Sequence, residues 1–132
     1  MGDRDVGGAG GRRGPPARLR ACGLPDPPLL VAADEITRGK PDPEGYLTAS
    51  ARLGRRPAEC VVVEDAPAGV AAARAAGMAC VALTTTHVAE AVAGAALVVP
   101  SLAELRVDVA PHDDGGVAYT LAARGTPGPP VA

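Results

Sequence analysis

The sequence predicts an α/β fold, a parallel sheet with helices flanking it, and three observations carry that expectation. Short apolar runs of strand length alternate with segments of helical spacing along the 132 residues. One run, Cys60–Glu64 (CVVVE), has a continuous β-branched centre, the mark of a strand covered on both faces. No heptad pattern or internal repeat competes with the alternation.

Residues 1–16 are mostly Gly, Arg, Asp and Pro, with almost nothing to bury, and read as a disordered segment. Ala17–Cys22 (ARLRAC) reads as the end of a helix stopped at Gly23, and Leu29–Ala33 (LLVAA) as a short strand. Asp42 is placed to cap the next helix, with Pro43 at its first position, where the missing N–H costs nothing. Tyr46, Ala49 or Ser50, and Leu53 follow at helical spacing, Gly54 is the expected stop, and Pro57 comes after it. Beyond the Cys60–Glu64 strand, an Ala-rich helix over Pro67–Ala76 ends at Gly77. Ala79–Leu83 (ACVAL) is the next strand, Val88–Ala93 a short helix and Leu97–Val99 a short strand. Ser101 with Glu104 has the spacing of a capping box. Val107 and Val109, then Val117, Tyr119 and Leu121, alternate around the turn-forming Asp113–Gly116 and predict a hairpin. Residues 122–132 (AARGTPGPPVA) read as a disordered tail, so the expected folded unit is 17–121.

Composition narrows the function classes. Hydrophobic residues make up 47%, without Phe or Trp and with only two Tyr, so the core must be Ala, Val and Leu. Small side chains bury less area each, and a modest stability margin follows. A formal net charge of −2 gives no overall drive toward nucleic acid or anionic membrane. The Gly/Arg segment lacks the interleaved aromatics that stack RNA bases. Cys22, Cys60 and Cys80 show no CxxC spacing and read as reduced thiols of a cytoplasmic protein. No apolar stretch reaches the length of a membrane span, and the first residues lack the apolar segment of a signal peptide.

Two features could carry chemistry. In parallel sheets, sites gather at the C-terminal ends of strands, which directs attention to Glu64-Asp65. Adjacent carboxylates repel unless a cation stands between them, and hard oxygen ligands suit Mg²⁺. Asp65 could equally cap the following helix. The other feature is Lys40, the only lysine against twelve arginines, on a turn bracketed by Gly39 and Pro41. A compact ammonium on a flexible stem suits a site that a planar guanidinium would not. An exposed surface lysine is the plain alternative.

Taken together the two features are more specific. Gly-Lys-Pro-Asp-Pro-Glu-Gly-Tyr-Leu at 39–47, then a helix, then Val-Val-Val-Glu-Asp-Ala-Pro-Ala-Gly-Val at 61–70 with Ala-Ala-Gly-Met at 75–78 behind it, resembles the haloacid dehalogenase (HAD) superfamily phosphatases. The likeness is to the branch acting on glycerol 3-phosphate and small sugar phosphates, and it runs from about Ala17 to Leu105. It implies a partial Rossmann-like (HAD-type) parallel sheet and a phosphomonoesterase ancestry. By resemblance, Lys40 contacts the transferring phosphoryl group of a small phosphorylated metabolite, and Glu64 and Asp65 help hold Mg²⁺.

The family's first motif, an apolar strand ending in Asp-x-Asp-Gly-Thr whose first Asp is the nucleophile, is not legible. The only Asp-x-Asp is Asp3-Arg4-Asp5, with no apolar strand before it and Val6-Gly7 after it. The Ser or Thr of the second motif, its strand and the cap domain have no match either. Two carboxylates leave Mg²⁺ short of octahedral partners, so weak binding is expected. The first strand would pair with Cys60–Glu64, and without it that strand keeps an open edge. The chain is therefore expected to be catalytically silent and to be poorly folded or repacked. A second reading is a non-catalytic half-domain whose sheet edge binds a partner chain or a second copy.

Overall fold

A computed structural model of the chain describes residues 14–126. The Gly/Arg-rich stretch up to residue 13, Asp3-Arg4-Asp5 with it, and residues 127–132 lie outside the described residues.

The described chain is an α/β layer carrying a β-hairpin. Strands β1 (Val61–Glu64), β2 (Ala79–Leu83) and β3 (Leu97–Val99) form a parallel sheet in the order β1-β2-β3. Val62 stands opposite Cys80, Glu64 opposite Ala82, and Ala82 opposite Val98. Of the helices α1 (Gly14–Ala21), α2 (Glu44–Leu53) and α3 (Pro67–Ala75), α3 lies on the sheet and α2 packs against α3. Strands β4 (Leu105–Pro111) and β5 (Val117–Ala123) pair antiparallel, the hairpin that the sequence alternation predicts, with Val107 opposite Leu121 and Val109 opposite Tyr119. β5 thus reaches into the stretch 122–132 that the sequence assigns to a tail, and Arg124 donates to the Ala103 carbonyl at 2.6 Å.

Local chemistry accounts for the ends of these elements. Gly23, Gly54 and Gly77 all have positive φ and stop α1, α2 and the α3 turn, as the sequence anticipates. Pro67 opens α3, whose small residues let it lie close on the sheet. Val70, Ala72, Ala73 and Ala76 are buried, and most of them meet Val62, Cys80 and Ala82 in one core cluster. Val92, on the 3₁₀ turn Ala89–Val92, and Val99 are the largest fully buried side chains. The core is thus made of Val and Ala with Met78 and Cys80.

Several expectations are corrected. Leu29–Ala33 is not a strand: it runs as irregular chain into a 3₁₀ turn at Ala33–Glu35, because a strand needs a neighbour and no described strand lies beside it. β1 is covered on one face only. Val62 is buried under α3, whereas Val61 and Val63, on the other face, are each 44% exposed, since no described element packs over them. Ser101 makes no side-chain capping bond, because the turn Leu102–Glu104 is a single 3₁₀ turn closed by the Glu104 amide on the Ser101 carbonyl at 3.1 Å.

Candidate functional site

The loop before α2 delivers Lys40. Gly39 and Asp42 close a turn through the Asp42 amide and the Gly39 carbonyl at 3.0 Å, and the Lys40–Pro41 peptide is cis. Asp42 is not the N-cap the sequence foresees: Pro43 occupies that position without a side-chain capping bond, and Asp42 Oδ1 accepts the Glu44 amide at 2.9 Å from one residue further out. Glu44, in the first turn of α2, reaches back to accept the amides of Thr37 and Arg38. Those two bonds hold the loop against the helix and so limit where Lys40 can point.

β1 delivers the acids. Lys40 Nζ lies 3.0 Å from Glu64 Oε2, with the Glu64 side chain 9% exposed and that of Lys40 52% exposed. The same oxygen accepts a hydrogen bond from the Tyr46 hydroxyl. The ammonium also stands 5.6 Å from the centroid of the Tyr46 ring, within cation–π range. Lys40 is therefore not a free surface lysine: Glu64 and Tyr46 orient it while its head stays open to solvent. Burial and then the bond to Glu64 push the Tyr46 phenol well above its usual range. Burial, with the Glu64 charge second, also raises the Cys80 thiol.

Gly69, in the first turn of α3, makes room for this arrangement. A Cβ there would overlap Cδ, Cγ and Oε2 of Glu64, so any larger residue would have to push that side chain aside.

Asp65 has a different setting. It does not cap α3, whose N-cap is Ala66 with no side-chain capping bond. Instead Thr86 Oγ1, from the loop after β2, lies 3.0 Å from Asp65 Oδ2 and 3.1 Å from its carbonyl. His87 Nδ1 sits 3.1 Å from that carbonyl and 3.0 Å from Thr86 Oγ1. The two acids thus part company: Glu64 serves the lysine and Asp65 the β2 loop.

This donor set does not complete a magnesium site. Among the described residues no three His, Cys, Asp or Glu side chains come together as a metal group. Mg²⁺ demands near-octahedral oxygen ligation, and one of the two carboxylates already faces an ammonium.

Sequence reasoning singled out Lys40, Glu64 and Asp65; the structure joins Lys40 to Glu64 directly. It missed Tyr46, read only as a helix-face residue. The available signal was its hydroxyl, since a partly buried Tyr O–H needs a partner. Thr86 carried no role, and nothing local reveals that the β2 loop returns to Asp65.

A Lys-Pro turn is thus brought onto the acid at the tip of a parallel strand. The profile of the haloacid dehalogenase-like hydrolases matches residues 10–77, more than half of the chain. The chain belongs to this family. It is 54% identical over 78 residues to validoxylamine A 7'-phosphate phosphatase of Streptomyces hygroscopicus subsp. limoneus, covering 59% of this chain and 37% of that protein. It is 42% identical over 98 residues to hexitol phosphatase A of Escherichia coli, covering 74% and 45%. The crystal structure of β-phosphoglucomutase from Clostridium difficile superposes with a TM-score of 0.57 at 32% identity, covering 63% of this chain and 36% of that one. This HAD-like chain spans less than half the length of each of these relatives. The parallel sheet with flanking helices is their fold.

Proposed function

We propose that the described residues form the lysine-and-acid side of a phosphomonoester site, and that this chain alone does not turn over. The observation that carries the reading is the Lys40–Glu64 contact at 3.0 Å, with Tyr46 on the same oxygen. A compact ammonium held by a nearly buried carboxylate, yet half exposed itself, suits an anionic oxygen arriving from solvent. In phosphoryl transfer such a group neutralises charge on the equatorial oxygens, where positioning and electrostatics supply most of the catalysis. The relatives named for validoxylamine A 7'-phosphate and for hexitol phosphates make small sugar and polyol phosphates the first compounds to try.

Silence follows from chemistry. A carboxylate nucleophile is needed, and among the described residues no strand ends in Asp-x-Asp. Magnesium belongs to the complete site, and Glu64 and Asp65 are the acids this chain would contribute; further oxygen ligands are required. Three free thiols agree with a cytoplasmic setting. Among the described residues no helix is long and apolar enough to cross a membrane.

Calorimetric titration with inorganic phosphate and glycerol 3-phosphate tests the binding, alongside a phosphate-release assay with Mg²⁺. Weak binding that disappears in Lys40→Gln, without release, is expected. Binding indifferent to Lys40→Gln would remove the site. Mg²⁺-dependent release of phosphate that is lost in Lys40→Ala would show the chain active and overturn its silence.

The open edge of β1 favours a second reading, in which the half-domain pairs with another chain. Val61 and Val63 stand exposed there beside backbone that no described strand covers.

A further inference from the structure

A cavity of about 480 Å³ lies between the segment 28–36 and one face of α2. Leu29, Val31, Ile36, Ala49 and Leu53 form its apolar walls. Lys40 and Tyr46 line it too, so the cavity and the Lys40–Glu64–Tyr46 cluster share two residues. Its volume falls within the range of small-molecule sites.

We propose that this cavity receives the organic group of a phosphomonoester whose phosphoryl end meets Lys40, and that it prefers an alkyl or aryl group to a polyol. The inference rests on Lys40 as phosphoryl contact and adds the chemistry of the remaining ligand. The polar groups on the wall are already engaged. Asp42 Oδ1 accepts the Glu44 amide, its other oxygen faces Arg38 Nη1 at 3.6 Å, and the Tyr46 hydroxyl donates to Glu64. A polyol entering here would shed water from hydroxyls that find few partners, which is unfavourable. An alkyl chain loses nothing of that kind and gains about fourfold in affinity for each methylene buried. The carboxylate of Asp42 would oppose an anion close to it, and its Arg38 partner offsets that charge.

Titration calorimetry with inorganic phosphate, glycerol 3-phosphate and n-hexyl phosphate decides it. Hexyl phosphate is expected to bind at least about tenfold tighter than glycerol 3-phosphate. Ala49→Leu, which fills the cavity from α2, should erase that preference and leave inorganic phosphate unchanged. Val31→Thr, the same shape with a hydroxyl, should reduce it several-fold even if the larger side chain disturbs the helix. Equal affinity for the two esters, both lost in Lys40→Gln, would overturn the cavity proposal and spare the reading of Lys40. Hexyl phosphate that still binds in Lys40→Gln, or keeps its advantage in Ala49→Leu, would place the binding elsewhere and also overturn it. Failure of all three compounds to bind would remove both.

Discussion

Tyr46 shows how much at this site depends on one hydroxyl. Its bond to Glu64 Oε2 shares the oxygen that Lys40 uses, so the phenol and the ammonium settle the carboxylate between them. Burial and that bond both favour the neutral phenol, and its folded pKa lies above the ordinary value of about 10. Between the unfolded and the folded pKa the unfolded chain has lost a proton that the folded chain keeps, so stability falls as pH rises through that window. Below about pH 10 the contribution is fully present. Ultraviolet difference titration of the chain against Tyr46→Phe checks this: the absorbance step missing in the variant should lie above the usual phenol range. A step at the ordinary position would mean the hydroxyl is not engaged. Lys40 was conspicuous in the sequence as a lone lysine, whereas Tyr46 was not, because helical spacing alone explains its position.

Between elements, the decisive contact is α3 against the tip of β1. The Pro67 start and the Ala-rich run foretell a helix, and β1 is plain from its valines. Their close approach at Glu64 depends on the missing side chain of Gly69. Gly69→Ala would force Glu64 aside, and Lys40 and Tyr46 hold that side chain in place. The expected cost is about 1–3 kcal/mol in urea denaturation, typical of overpacking. In a Glu64→Ala background the same substitution should cost much less, and the coupling between the two changes is the readout. Additive effects would show that Glu64 moves freely. The short strand expected at Leu29–Ala33 failed for a reason local pattern does not contain: apolar residues make a strand only where another strand accepts their backbone hydrogen bonds.

For the whole molecule, the open side of β1 is the dominant feature. Among the described residues no strand pairs with the outer edge of β1, where Val61 and Val63 are exposed. Analytical ultracentrifugation should detect concentration-dependent self-association, and Val63→Lys, a charge on the exposed side of β1, should suppress it. A chain that stays monomeric at every concentration would contradict this. The hairpin β4–β5 adds an apolar face of Val107, Val109, Val117 and Tyr119, all exposed, so Val109→Lys serves as the control that separates the two surfaces.

The sequence by itself determined the alternation of strand and helix, the glycine stops, the hairpin and the two functional landmarks at Lys40 and Glu64-Asp65. Those are properties of period, turn chemistry and residue type, which act over a few neighbours in the chain. Tertiary structure alone decided that Glu64 and Asp65 have different partners, that Tyr46 and Thr86 join them, and that Gly69 leaves the space the Glu64 side chain occupies. Each of those facts depends on which groups meet across distant segments, where hydrogen bonding and excluded volume act without regard to sequence separation.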